Sequence, residues 1–238
     1  MRKMTLVLLL ILALLGVGVS AASSGQIYLP IVNNLPTTPP PTPPKPETVV
    51  VLPNFSWRTM DGYLIITGEV ENNTKENADF IEITIDIFNA HGQLIDAQSA
   101  YTYLNNALAS GDKTFFVLSL VEPLAWSYFE FEAPTYEAGG ESAPNLTIEN
   151  DGSTWDLASG KYYIWAEITN NDVDDVDYAH AIITIYNSEG TVINGAYVPL
   201  DEEYLVPYQK SGFMTFFDDQ DYTGATYRLQ ADGWRRQP

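Results

Sequence analysis

From Tyr63 onward, apolar and polar positions alternate with a period of two. Within Phe80–Phe88 the alternation is strict over Ile81–Ile87: Ile81, Ile83, Ile85 and Ile87 share one parity, and Glu82, Thr84 and Asp86 the other. That is the signature of a strand with one buried face. Tyr63–Asn72 follows the same rhythm. Asn89-Ala90-His91-Gly92 interrupts it as a hairpin turn, with Gly92 free to take positive φ. Gln93–Tyr101 returns as the partner strand. A turn at Ser110-Gly111-Asp112 leads into strands at Thr114–Leu120 and Tyr128–Ala133. No stretch holds a helical period over three turns.

The same plan is written twice. A shift of 98 residues, without gaps, carries Trp57 onto Trp155, Gly62 onto Gly160, Glu69 onto Glu167 and Asn72-Asn73 onto Asn170-Asn171. It also carries Asn89 onto Asn187, Gly92 onto Gly190 and Phe115 onto Phe213. Strands are therefore predicted again at Lys161–Thr169, Tyr178–Tyr186, Thr191–Val198, Phe213–Phe217 and Thr226–Ala231. Tandem copies of this length indicate two similar small domains. Many short strands with turns at this spacing indicate antiparallel β-sandwiches. The first is expected over 48–135 and the second over 151–238. The piece between them, 136–150, contains Gly139-Gly140 and Pro144 and has linker composition.

Ahead of the copies the pattern changes. Arg2 and Lys3 precede an apolar run from Leu6 to Val19 and then small residues around Ala22. This predicts an export signal over 1–22, its run short of the roughly 20 residues of a membrane span. Membrane association is expected only if that signal stays uncleaved. Residues 23–47 are rich in Pro and Thr; their core, Pro36 to Pro46, is expected to extend as polyproline II over about 35 Å. The expected place is outside the cell, secreted or held at the surface.

Composition narrows the chemistry. The chain has no Cys, which removes disulfides, zinc-thiolate sites and thiol catalysis. Its 31 acidic against 11 basic residues give a net charge of −20. Such a surface repels phosphate backbones, so no nucleic-acid partner is expected.

Two segments of each copy carry a resemblance. Ile85-Asp86-Ile87-Phe88-Asn89 and Ile183-Thr184-Ile185-Tyr186-Asn187 resemble the Phe-x-Leu-Tyr-Asp signature of FxLYD domains. Gly68-Glu69-Val70-Glu71-Asn72 and Ala166-Glu167-Ile168-Thr169-Asn170 are similar to that family's Gly-x-Val-x-Asn strand, and Gly92 and Gly190 match its following glycine. Both copies put Ile for the signature Phe and Leu, and Asn for its Asp. The resemblance implies Ig-like or fibronectin-like sandwiches on a secreted bacterial protein and brings no catalytic residues.

Candidate chemistry is sparse. Glu69 and Glu167 recur, but on the outward parity of strands in different domains, where a cross-strand role is expected rather than acid catalysis. His91 and His180 have no counterpart in the other copy, and no Gly-x-Ser-x-Gly elbow accompanies them. Trp57 and Trp155 recur and are expected as core anchors. Tyr163 and Trp165 replace Ile65 and Thr67 of the first copy and are expected to face outward, as a ligand-binding pair for sugar rings or a protein. Asn171, Asp172, Asp174 and Asp175 crowd one loop and are the candidate oxygen ligands for Ca²⁺, though without EF-hand spacing. No other cofactor is expected. The expected function is a non-enzymatic extracellular binding or structural display module whose partner is a protein or polysaccharide. The alternatives are a carbohydrate-binding accessory using Tyr163 and Trp165, and an unrecognised secreted hydrolase.

Overall fold

The computed structural model describes residues 45–236. The expected signal and nearly all of the Pro/Thr-rich linker lie outside them. The described chain is all-β. Its first half carries β1 (Val49–Val51), β2 (Ser56–Met60), β3 (Tyr63–Asn72), β4 (Ala78–Asn89), β5 (Leu94–Tyr101), β6 (Lys113–Val121), β7 (Trp126–Phe131) and β8 (Thr135–Ala138). Its second half carries β9 (Leu146–Asp156), β10 (Lys161–Asn170), β11 (Val176–Tyr186), β12 (Val192–Pro199), β13 (Lys210–Phe217) and β14 (Thr226–Arg235).

Each half is an antiparallel sandwich. In the first, β3 pairs β6 along one edge, and β2 then β1 along the other. The facing sheet centres on β4, between β5 and the successive β7 and β8. In the second, β10 lies between β9 and β13, and β11 between β12 and β14. The pairing therefore repeats, except that β9 and β14 run on where the first half breaks its strands in two. The predicted parity sets each core. Leu64, Ile66 and Val70 of β3 and Phe116, Leu118 and Leu120 of β6 meet Ile81, Ile83, Ile85 and Ile87 of β4. Tyr162, Ile164, Ala166 and Ile168 of β10 meet Ala181, Ile183 and Ile185 of β11.

The gapless repeat needs one correction. Phe116 pairs across from Gly68, and Phe213 across from Ala166, which is the residue matching Gly68. Phe213 is thus the equivalent of Phe116, and Gly212 stands where Phe115 does. The loop before β13 is one residue shorter than that before β6, and a one-residue slip exchanges the faces of a strand. Phe115 therefore points out of its own sandwich.

The segment 136–150 is not a free linker. Tyr136–Ala138 belongs to β8 and Leu146–Asn150 to β9, because backbone groups beside a sheet edge are satisfied by pairing with it. Nor do the halves hang apart, since both belong to one compact unit. The outer face of the β2–β3–β6 sheet is covered by the outer face of the β12–β11–β14 sheet. Phe115 from the first half packs there with Ile182 and Val192 from the second. A Cβ on Gly195 would come within 2.8 Å of the Phe115 ring, so the absence of a side chain at that position receives the ring. The four sheets are consequently stacked, with two sandwich cores and a third, mixed layer between them.

Candidate functional site

That third layer contains the buried acid that sequence parity placed outside. Glu69 does point away from its own core, but the second half covers it and it is 0% exposed. Its Oε1 accepts from the Tyr186 hydroxyl at 2.7 Å and from Arg228 at 2.8 Å, both in the second half. Its Oε2 accepts from Lys113 at 2.9 Å and from the Asn54 amide at 3.1 Å. Burial works to raise the Glu69 pKa. The hydrogen bonds from Tyr186, Lys113 and Asn54, with the charge of Arg228, outweigh it and hold the carboxyl below the ordinary glutamate range. Burial likewise pushes the Tyr186 phenol up, and the bond to Glu69 adds to it. With its lone pairs taken by four donors, this carboxylate is a joint between sandwiches. Its sequence counterpart Glu167 is exposed and accepts from Asn150.

A second joint uses Asp232, fully buried on β14. Its Oδ2 accepts the backbone N–H of Asn105 at 2.6 Å and of Asn106 at 3.3 Å. Its Oδ1 accepts the Asn106 side chain at 2.6 Å. His180, across the ladder from Asp232, is buried and stacks on Tyr197 with ring centroids 4.2 Å apart. Its Nδ1 lies 2.9 Å from the Tyr178 carbonyl. Tyr197 continues to Tyr103 of the first half, at 6.5 Å. His180 is thus built into packing, while His91 sits exposed in its hairpin turn.

Tyr163 and Trp165 do share one face, the outer face of the β9–β10–β13 sheet. Both are half-buried. Across β13, Tyr163 stands opposite Phe216 and Trp165 opposite Met214. Met214 is 69% exposed. The Lys161 ammonium sits 3.7 Å from the centre of the Phe216 ring, within cation–π range. A Cβ on Gly152 would lie 2.4 Å from the Trp165 indole, so the indole rests against bare backbone of β9. The matching face of the first half, with Ile65, Thr67 and Glu69, is the one covered by the second sandwich. Sequence reasoning missed Met214, Phe216 and Gly152; the one-residue slip in β13 put Met214 and Phe216 outward.

The candidate calcium ligands share a loop without converging. Asp172 pairs with Arg235 at 2.8 Å, and the bond from Arg235 holds its carboxyl below the ordinary aspartate range. Asp175 accepts from the Tyr204 hydroxyl, and the Asp174 carbonyl from Asn170. The Asn171 amide turns to Thr147. Among the described residues, no group of three or more His, Asp or Glu is disposed to hold a metal ion. Arg235 and Tyr204 already answer two of these acids, Asp172 and Asp175. The tryptophan expectation also divides: Trp155 packs on its core, whereas Trp57 is 53% exposed and meets Trp126 edge-on.

No family model matches the chain, and no curated protein matches. Among solved structures, red sea bream transglutaminase is similar at 9% identity and a TM-score of 0.26, over 77% of this chain and 29% of that one. The exo-chitosanase CsxA of Amycolatopsis orientalis is similar at 10% identity and 0.29, over 79% and 26%. The chain thus spans less than a third of those proteins' length. Among the described residues, no helix is long and apolar enough to cross a membrane.

Proposed function

We propose that residues 45–236 form a rigid, non-enzymatic binding and display head, carried outside the cell on the proline-rich segment that precedes it. The observation that supports this most is the engagement of Glu69. The buried carboxylate that recurs in the sequence is closed off by four donors and fastens one sandwich to the other. A catalytic acid needs an open side toward substrate. The likeness to FxLYD domains supports placement on a secreted bacterial protein. Incubating the protein with isolated cell envelopes, extracellular polysaccharides and peptides tests the reading. Retention without product formation is expected; turnover abolished by a single carboxylate substitution contradicts it.

A second reading, carbohydrate binding on the Tyr163–Trp165 face, is favoured by the way that indole lies on Gly152 beside Phe216 and Met214. Aromatic faces held on a rigid sheet suit stacking on sugar rings. Glycan-array binding that is lost in Trp165→Ala supports it, and equal binding by both forms removes the site.

A further inference from the structure

The joint at Asp232 creates a recess that neither sandwich has alone. By holding Asn105 and Asn106, Asp232 draws the end of β14 onto the first half and brings Trp234 beside Tyr101 and the Asp79–Phe80 bulge of β4. The result is a cleft of about 340 Å³ that also includes Glu141. A second recess of about 270 Å³ adjoins it, lined by Glu82, Thr135, Tyr136 and Glu137 and sharing Phe80 and Tyr101 as the divide. Phe80, Tyr101 and Trp234 are 65%, 58% and 56% exposed. These are large rings left in solvent around a concavity, where burial by a ligand is favourable.

The charged residues lining the two recesses are of one sign. Among the described residues, Asp79, Glu82, Glu137 and Glu141 line the two recesses, and no Lys, Arg or His does. None of the four acids takes part in an ion pair among the described residues. Glu82 is met only by the neutral hydroxyls of Ser99 and Thr135. Exposed aromatic faces and unanswered carboxylates both attract cations, and a cation held over a ring gains from the ring quadrupole. Phe80 adds a mark of its own. It holds φ of +48°, in the left-handed region that a bulky residue seldom adopts, and its ring stands in the divide.

We propose that this double recess binds an extended basic peptide segment, one cationic side chain entering each recess on either side of Phe80 and Tyr101. Residues i and i+2 of an extended chain project to the same side, so arginines at alternate positions present two cations together. The inference rests on the binding-head reading and names a partner class for it. The rigid β14 joint keeps Trp234 in place before the ligand arrives, which lowers the ordering cost of binding.

The test uses fluorescence anisotropy with a labelled Gly-Arg-Ser-Arg-Ser-Gly peptide at near-physiological salt, where diffuse attraction to an acidic protein is screened. The protein is expected to bind this probe and to ignore the same peptide with Glu for Arg. Tyr101→Ala and Trp234→Ala each remove a ring without changing charge and are expected to weaken binding roughly tenfold. Trp234→Phe keeps a ring and is expected to recover most of it, which separates ring contact from misfolding. Asp61→Asn, away from the recesses, is expected to leave binding unchanged. Equal binding by wild type and both Ala variants would mean charge alone attracts the probe, and overturns the proposal. Preference for chitosan oligomers over the peptide also overturns it, as does Trp165-dependent binding of a polysaccharide with the peptide ignored; either leaves the binding-head reading standing. Cleavage of the probe overturns both.

Discussion

Removing the Glu69 carboxylate is the sharpest perturbation of the joint between the sandwiches. In Glu69→Ala, Tyr186, Asn54, Lys113 and Arg228 lose their common acceptor. Breaking a fully buried ion pair costs about 3–5 kcal/mol. Here the Lys113 and Arg228 side chains keep 36% and 26% exposure, so water takes back part of their solvation. A loss of about 2–4 kcal/mol is the resulting expectation, with Glu69→Gln near the lower end because it keeps the volume. Glu167→Ala is the control: it occupies the matching position of the second half, is exposed, and should change stability by no more than about 0.5 kcal/mol. Urea unfolding followed by tryptophan fluorescence gives both numbers. A Glu69→Ala midpoint no lower than that of Glu167→Ala would refute the reasoning. Acid pH offers a second check. The folded pKa of Glu69 is depressed below the ordinary value of 4.5, so its contribution is present above that value and is lost as pH falls through the folded pKa. The stability gap between wild type and Glu69→Gln is therefore expected to hold at neutral pH and close below about pH 4.5.

Gly195→Ala would force a methyl to within 2.4 Å of the Ile183 carbonyl and 2.8 Å of Phe115; a stability loss of about 1–3 kcal/mol is expected by calorimetry, and an unchanged midpoint contradicts the packing. Tyr178, like Phe80, holds positive φ at a bulge, +53°, so Tyr178→Gly is expected to be neutral or stabilising by up to about 1 kcal/mol in the same melts, where a clear loss argues against strain there. Asp232→Ala should strip hydrogen-exchange protection from the Asn105 and Asn106 amides, and unaltered protection removes that joint. Adding calcium, or removing it with chelator, should leave the melting midpoint unmoved, since Arg235 and Tyr204 already satisfy Asp172 and Asp175; a calcium-dependent rise means the native loop binds the ion after all.

Much of the fold was legible because it rests on local patterns. The isoleucine run of β4 shows its parity outright, and the turns at Gly92 and Gly190 have the φ values, +72° and +81°, that only glycine takes without strain. What was hidden depends on contacts between distant residues. Parity shows that Glu69 leaves its own core, but not that another sandwich waits there with Arg228. The slip in β13 comes from one residue of loop length, which a gapless repeat conceals; it makes Met214 a surface residue and hides that Phe115, a joint residue, is not the equivalent of the core residue Phe213. The strand β9 begins at Leu146 to Asn150, where Leu146 and Ile148 pack on the core while Glu149 and Asn150 face solvent. Of the candidate site, Tyr163 and Trp165 were legible as the outward pair, whereas the recess around Trp234 arises only once the halves have joined.

The central claim is that the two copies form a single body through buried polar joints. Scanning calorimetry of residues 45–238 tests it most directly. One transition, with a calorimetric to van't Hoff enthalpy ratio of about one, is expected for wild type, and a split or broadened transition for the Glu69→Ala, Asp232→Ala double variant. Two resolved transitions in the wild type, untouched by those substitutions, would contradict it.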